Sequence, residues 1–181
     1  MIRPVRSALI AGAALLAFAL PASAATFVLG SGPEQACFEA AENDSPALNA
    51  LDACDAALKD VALPAPDRAA TFANRSVLLL SRNQPTAALQ DAEMALKIAP
   101  ELKQAVINKA GALTMLGRYE EARAALDEVI PGFEGVALER GLYNRAVASE
   151  AMGDLRAAYH DYKRAADLNP DFTAAHVELA R

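Results

Sequence analysis

The sequence is poor in the residue types on which metal and redox sites depend. It contains no tryptophan, two histidines and two cysteines in 181 residues. His160 and His176 fall on different predicted helices with no cysteine near either, whereas zinc ligands are grouped at short spacings. Cys37 and Cys54 lack the Cys-x-x-Cys spacing of redox enzymes. We therefore expect no metal site and no cofactor.

Sequence motifs for catalysis are missing as well. No glycine-rich phosphate loop occurs, and no serine stands in a nucleophile elbow. The acidic pair Glu120–Glu121 lies at a predicted helix start, where negative charge is favourable beside the helix dipole. We expect a protein that is not an enzyme. The alternative, an enzyme built on a helical scaffold, has no constellation of residues in its favour.

The charge balance argues against nucleic acid as a partner. The chain has 17 basic and 23 acidic residues, for a formal net charge of −6. An acidic surface repels phosphate backbones. The basic amphipathic helix expected of a protein that binds a membrane surface is missing too.

The N-terminal segment, residues 1–24, has the pattern of a secretory signal peptide. Arg3 and Arg6 precede an uncharged, apolar run from Ala8 to Leu20, and Ala22-Ser23-Ala24 supplies small residues for cleavage. The run is shorter than the roughly 20 residues that span a bilayer as a helix. We predict cleavage after Ala24, a periplasmic or secreted location and no membrane span in the mature chain. An uncleaved membrane anchor is the alternative.

The cysteine count fits that location. An even number of cysteines in an exported protein favours a disulfide, so we predict a bond between Cys37 and Cys54. The two residues fall on successive predicted helices, which the bond would link. Two buried free thiols are the alternative.

The chain also contains an internal repeat. Asn74, Asn108 and Asn144 stand in similar contexts at steps of roughly 34 to 36 residues, the period of a helical repeat, and we expect each to bond to the backbone of an adjacent helix. A two-residue insertion near 131–135 accounts for the longer second step. Other positions recur at the same two steps: a turn at Asn83, Gly117 and Gly153, and small residues at Ala88, Ala122 and Ala158.

These positions resemble the tetratricopeptide repeat family. The resemblance covers residues 69 to 172 and implies an all-α, right-handed superhelical solenoid of antiparallel helix pairs with a C-terminal capping helix. Hairpins in such a solenoid stack because each leaves an apolar side that only its neighbour covers. The resemblance further implies a scaffold that binds a protein or peptide segment.

The repeat and the leader together predict the domain organisation. A degenerate helical hairpin should follow the leader, and three repeat units and a capping helix should follow the hairpin. The predicted bounds are 1–24 for the signal peptide, 25–62 for the hairpin, 63–181 for the repeat region, about 69–102, 103–136 and 139–172 for its units, and 173–181 for the capping helix.

Two pairs of opposite charge recur in the repeat. Asp91 follows Arg75 at the same spacing at which Asp161 follows Arg145. This spacing places each pair on facing helices of one hairpin, where an ion pair would fix the register. Contact with a ligand is the alternative. Lys109 of the middle unit has no acidic residue at that spacing.

The family resemblance implies that the first helix of each unit lines a concave groove. Only Arg140 resembles the Lys, Asn and Arg set of repeats that clamp a peptide carboxylate, so we expect apolar anchors of a partner instead. Other interpretations are that these positions pack against the N-terminal hairpin, the C-terminal helix or a second copy, as in a homodimer or a larger assembly. The candidate binding residues are Val77, Leu80, Gln104, Ile107, Arg140, Tyr143, Val147 and Glu150.

Overall fold

The computed structural model describes residues 32–43 and 49–181. The described residues form α-helices joined by short turns, with one 3-10 turn and no strand. The predicted signal peptide and the start of the predicted N-terminal hairpin lie outside these ranges. The helices are α1 (Pro33–Glu42), α2 (Ala50–Lys59), α3 (Ala65–Ser81), α4 (Pro85–Ile98), α5 (Lys103–Met115), α6 (Tyr119–Val129), α7 (Gly135–Ala151), α8 (Leu155–Leu168) and α9 (Thr173–Leu179), and the 3-10 turn spans Ile130–Gly132.

The helices pack neighbour to neighbour as a series of hairpins. The pairs are α1 with α2, α3 with α4, α5 with α6 and α7 with α8. From α3 to α7, each first helix of a pair also packs on both helices of the preceding hairpin, and α9 packs on α8. This order confirms the predicted all-α solenoid. The fold thus has two layers, which we call the first-helix face (α1, α3, α5, α7 and α9) and the second-helix face (α2, α4, α6 and α8).

The turn predicted inside each repeat hairpin has left-handed backbone. Asn83, Gly117 and Gly153 have φ values of 57°, 75° and 83°. This conformation ends a helix because it turns the next amide back towards a carbonyl one turn earlier. An equivalent backbone hydrogen bond of 2.9 Å closes each of the three turns. The bonds are Gln84 N to Leu79 O, Arg118 N to Leu113 O, and Asp154 N to Ser149 O.

Small residues let the helices of each hairpin approach closely. A larger side chain at these positions would push the helices apart, because the interior is close-packed. Around them, Leu78, Leu113, Leu126 and Leu142 are fully buried and supply most of the apolar volume. The small residues buried in the repeat hairpins include Ser76, Ala88, Ala95, Ala110, Ala122, Ala146, Ala158 and Ala165.

The first hairpin contains the predicted disulfide. Cys37 of α1 and Cys54 of α2 are bonded, with their Cα atoms 4.8 Å apart, and both side chains are fully buried. The bond links two short helices of ten residues each. It stabilises a hairpin that has a neighbouring hairpin on one side, at α3.

The 3-10 turn overlaps the predicted insertion near 131–135 and precedes an aromatic ring that points inward. Phe133 is buried directly after this turn. A Cβ atom added to Gly141 would lie 3.1 Å from the Phe133 ring, so glycine lets the ring rest on α7. The repeat pattern gave no reason to expect this role for Gly141.

Buried asparagines connect successive hairpins. The side-chain amide of Asn108 donates to the Ala73 carbonyl and to the Ser76 hydroxyl, both at 3.0 Å. Asn144 donates to the Ile107 carbonyl at 3.3 Å. Each acceptor carbonyl belongs to the residue just before the equivalent asparagine of the preceding hairpin, so the bond repeats with the fold. The predicted bonds from Asn108 and Asn144 to an adjacent helix are confirmed, and Asn74 is fully buried in its equivalent place.

We expect Asn108→Ala to lower the free energy of unfolding by about 1–3 kcal/mol, because it removes two hydrogen bonds at a buried site. Urea denaturation measures the change. Gln90→Ala is the matched control, since Gln90 is exposed on α4 and its loss should cost less than about 0.5 kcal/mol. Equal effects of the two substitutions would contradict the assigned role of Asn108.

Candidate functional site

The predicted binding positions on the first-helix face divide into buried and partly exposed residues. Ile107 and Tyr143 are only 2% and 3% exposed, and Val77 and Leu80 are also buried. These four side chains are covered by other residues of the described part of the chain. The other four, Gln104, Arg140, Val147 and Glu150, are partly exposed. The part of all eight in binding a partner stays a prediction, but a partner would touch the second group first.

Tyr143 belongs to an aromatic cluster inside the protein. Its ring centroid lies 5.6 Å from that of Tyr162 on α8 and 5.2 Å from that of Phe172, which precedes α9. Both pairs are tilted, an arrangement that favours aromatic contact. Burial raises the pKa of Tyr143 to about 12. Tyr143 therefore packs against the second helix of its own hairpin and the residue that precedes α9.

Glu150 is held by two groups of the same chain. Its carboxylate accepts a hydrogen bond from the Tyr162 hydroxyl at 2.8 Å and another from Arg181 at 3.0 Å. Arg181 also pairs with Glu178 of α9. Burial, followed by the bond to Glu150, raises the pKa of Tyr162 well above its usual range. The C-terminal residues thus occupy one end of the first-helix face.

Both α5 and α7 contribute partly exposed side chains to that face. Gln104 lies in the first turn of α5. The ammonium group of its neighbour Lys103 lies over the Phe133 ring, 5.7 Å from the ring centroid. Arg140 of α7 is half-buried, and this burial lowers its pKa. With Val147, these partly exposed side chains include both apolar and polar groups. Such a surface offers packing area and hydrogen bonds to a bound segment, which suits binding.

The second-helix face contains ion pairs that join more than one hairpin. The Arg75 guanidinium donates to both oxygens of Asp91 at 2.7 and 2.8 Å and to Asp55 of the preceding hairpin at 2.6 Å. The predicted pair within the hairpin is confirmed. The contact between Arg75 and Asp55 was not predicted, because the spacing of residues within one repeat unit gives no information about α2 of the preceding hairpin.

The third repeat hairpin has the same arrangement. Arg145 donates to Asp161 at 2.6 and 2.9 Å and to Asp127 of the preceding hairpin at 2.8 Å. The bond to the nearly buried Asp161 raises the pKa of Arg145. In the middle hairpin, Lys109 reaches back to Glu93 at 3.7 Å. Each of these three cations therefore links its hairpin to the preceding one. The contacts agree with the prediction that the Arg–Asp pairs fix the register of the helices.

The histidines lie apart on the surface. His160 on α8 is 73% exposed, and its Nδ1 atom lies 3.8 Å from Asp161. His176 is exposed on α9. In residues 32–43 and 49–181, no three His, Cys, Asp or Glu side chains are grouped as a metal ion would need. Within the same ranges, no helix has the length and apolar character needed to cross a membrane.

Comparison with known proteins identifies a repeat family. One tetratricopeptide repeat family model matches residues 79–133, and a second one matches residues 139–172. Searches of the curated proteins and of the solved structures found no match. The matched ranges include parts of α3 through α8 and both Asn108 and Asn144.

We expect Arg145→Met to lower the free energy of unfolding by about 3 kcal/mol, because Asp161 would remain nearly buried without its counterion. Asp127→Asn should cost less than about 1 kcal/mol, since the Asp127 side chain is 51% exposed. Adding Asp161→Leu to Arg145→Met should restore much of the loss. Urea denaturation of the four proteins tests this order, and an equal cost of the two single substitutions would contradict it.

Proposed function

Because the chain is a tetratricopeptide repeat protein, we propose that it binds a segment of a partner protein on its first-helix face, within the cell envelope. Tetratricopeptide repeats are protein–protein interaction scaffolds and generally act without catalysis. Stacked hairpins of this kind offer an extended surface instead of a closed pocket. The proposed partner is therefore a protein or peptide, bound without a cofactor.

One observation carries the choice of face. The first helices pack directly on one another from α1 through α3 and α5 to α7, so their outward side chains form one continuous surface. Gln104, Arg140 and Val147 are its partly exposed members on α5 and α7. A peptide lying along this surface would cross two hairpins and contact both, and an extended or helical segment with apolar groups has the matching chemistry.

A second candidate function is self-association into an envelope assembly. Leu155 and Tyr159 of α8 are 65% and 58% exposed, although both are large and hydrophobic. They are one helical turn apart and so project from the same side of the helix. A homodimer joined through α8 would cover them and leave the first-helix face open. Light scattering of the wild type and of Tyr159→Ser distinguishes a dimer of this kind from a monomer.

The envelope location is supported by the leader pattern and by the disulfide. The Cys37–Cys54 bond is stable in an oxidising compartment, and such bonds are rare in the cytosol. The pattern at residues 1–24 is that of an exported chain. Both features belong to the part of the sequence before the first repeat.

We expect fractionation of the producing cells to recover the protein with the periplasmic or secreted fraction, and N-terminal sequencing to begin at Ala25. Replacing residues 8–20 with a polar segment should retain the protein in the cytosol with reduced cysteines. A full-length N-terminus in the membrane fraction would support an anchor and contradict cleavage.

We expect the double variant Gln104→Arg, Val147→Arg to reduce partner affinity at least tenfold, because two long charged side chains would stand on the exposed part of the first-helix face. Affinity capture from envelope extract, with mass spectrometry, identifies the partner, and calorimetry with that purified partner measures the affinity. Gln90→Arg on the second-helix face is the matched control and should bind as the wild type does.

The helical circular dichroism of these variants should match that of the wild type, since all three positions are at least partly exposed. A folded double variant with wild-type affinity would place the binding site elsewhere. An effect of Gln90→Arg as large as that of the double variant would also contradict the choice of face.

A further inference from the structure

One buried position breaks the repeat. The residues five places after Asn74 and Asn108 are Leu79 and Leu113, both buried, but the residue five places after Asn144 is Ser149. Ser149 is 1% exposed, and its hydroxyl has no hydrogen-bond partner in the described part of the chain. A buried hydroxyl without a partner costs free energy. It therefore marks a place where a ligand atom would be favourable.

Beside Ser149 lies a cavity of about 240 Å³. It opens between α6 and α8, and its floor is α7, which contributes Arg145 and Ser149. In the other two repeat hairpins a leucine side chain stands at the position of Ser149. The smaller serine leaves the space open, and its hydroxyl lies at the floor of the cavity, where it is covered in this structure.

The cavity lies on the opposite side of α7 from the candidate binding residues. At about 100° per residue, Arg145 and Ser149 project roughly opposite to Tyr143 and Val147. The cavity is therefore separate from the proposed first-helix surface. A ligand bound in it would leave that surface accessible.

The walls of the cavity are charged but balanced. Arg123 and Arg145 line it together with Asp127 and Asp161. The formal charges of these four side chains cancel. A cation or an anion placed among them would be attracted to one pair and repelled by the other, so an uncharged ligand is favoured.

The same walls still offer both donors and acceptors. Arg123 donates to Asp154 through Nη1 at 3.1 Å, and its Nε lies 3.8 Å from Asp127. A guanidinium has five N–H groups, and each carboxylate has about four lone-pair sites, so capacity remains after these contacts. The Ser149 hydroxyl adds one donor and two lone pairs. A matching ligand must both accept and donate hydrogen bonds.

We propose that this cavity binds an uncharged carboxamide, the side chain of an asparagine or glutamine of a partner protein. A carboxamide accepts through its oxygen and donates through its NH₂ group, and it has no net charge. That the amide comes from a protein rests on the proposed scaffold function. The amide chemistry itself follows from Ser149 and the four charged walls.

The size of the cavity fits one side chain. A volume of about 240 Å³ leaves room for water molecules beside a carboxamide. Pockets for drug-sized ligands measure roughly 300–1,000 Å³. The carboxamide would displace some of these waters and leave others to bridge it to the walls.

Nuclear magnetic resonance titration of the full mature chain with propionamide tests the proposal. We expect saturable shifts of the backbone amides of Ser149, Ala157 and His160, which line the cavity. Ser149→Leu, which places here the residue found in the other hairpins, should abolish these shifts. Ser149→Ala should weaken binding about fivefold, as expected from the loss of one hydrogen bond worth about 1 kcal/mol.

Ser81→Ala on the exposed end of α3 is the matched control and should leave the titration unchanged. The proposal is overturned by shifts that do not saturate, or by shifts that persist in Ser149→Leu. Equal saturation by acetate, guanidinium or glycerol in place of propionamide would overturn it as well, because each lacks the neutral amide.

The outcome is independent of the first-helix surface. Ser149→Leu retains Gln104 and Val147, so it should still bind any partner held through them. Failure of the propionamide titration would reject the cavity proposal alone. Loss of that partner from the Gln104→Arg, Val147→Arg variant tests the other face.

Discussion

The hydrogen bond from a buried asparagine to a backbone carbonyl of the preceding hairpin sets the register of the three repeat hairpins. A carbonyl inside a helix already accepts a bond from the helix itself, and Asn108 uses the second lone pair of Ala73. Asn144 repeats the contact with Ile107. A shift of one residue between hairpins would break the bond and leave a buried amide without a partner. The stacking of apolar faces is not directional, so this polar contact specifies one alignment among several.

On the other layer, charged side chains connect the same hairpins. Arg145 joins Asp127 and Asp161, and Arg75 joins Asp55 and Asp91 in the same manner. Because the carboxylates of the preceding hairpins are about half exposed, those contacts contribute less than the nearly buried ones do. The two layers therefore differ in chemistry. Neutral hydrogen bonds align the first helices with one another. Ion pairs connect successive second helices, because each arginine on a first helix contacts aspartates on two of them.

Features that depend on one repeat unit were predictable from the sequence. The left-handed turns, the small residues of the helix contacts and the Arg–Asp pairs within hairpins all recur at fixed spacing, and the structure has them. The disulfide was also predictable, since two cysteines leave one possible pairing. Contacts between units were harder to predict. Asp55 and Asp127 precede their arginines by unequal stretches of chain, so no single spacing identifies them.

The burial of the candidate binding residues was harder to predict from the sequence than the fold was. The repeat pattern gives the direction in which Tyr143 and Ile107 project, but it does not show what lies above them. Phe172 and Tyr162 pack against the Tyr143 ring, and only the folded arrangement of α8 and α9 shows this. The Ser149 cavity carried a signal in the sequence. Alignment by the repeat asparagines places Ser149 opposite two leucines, although the sequence does not show that this position is buried beside a cavity.

Hydrogen exchange measured by mass spectrometry on Asn144→Ala tests the asparagine linkage most directly. If Asn144 couples the third repeat hairpin to the second, amides of α7, α8 and α9 should lose protection together, while those of α3 and α4 keep the wild-type rates. Uniform loss of protection across all the hairpins, or none in α7 to α9, would contradict this account of how the stack is held in register.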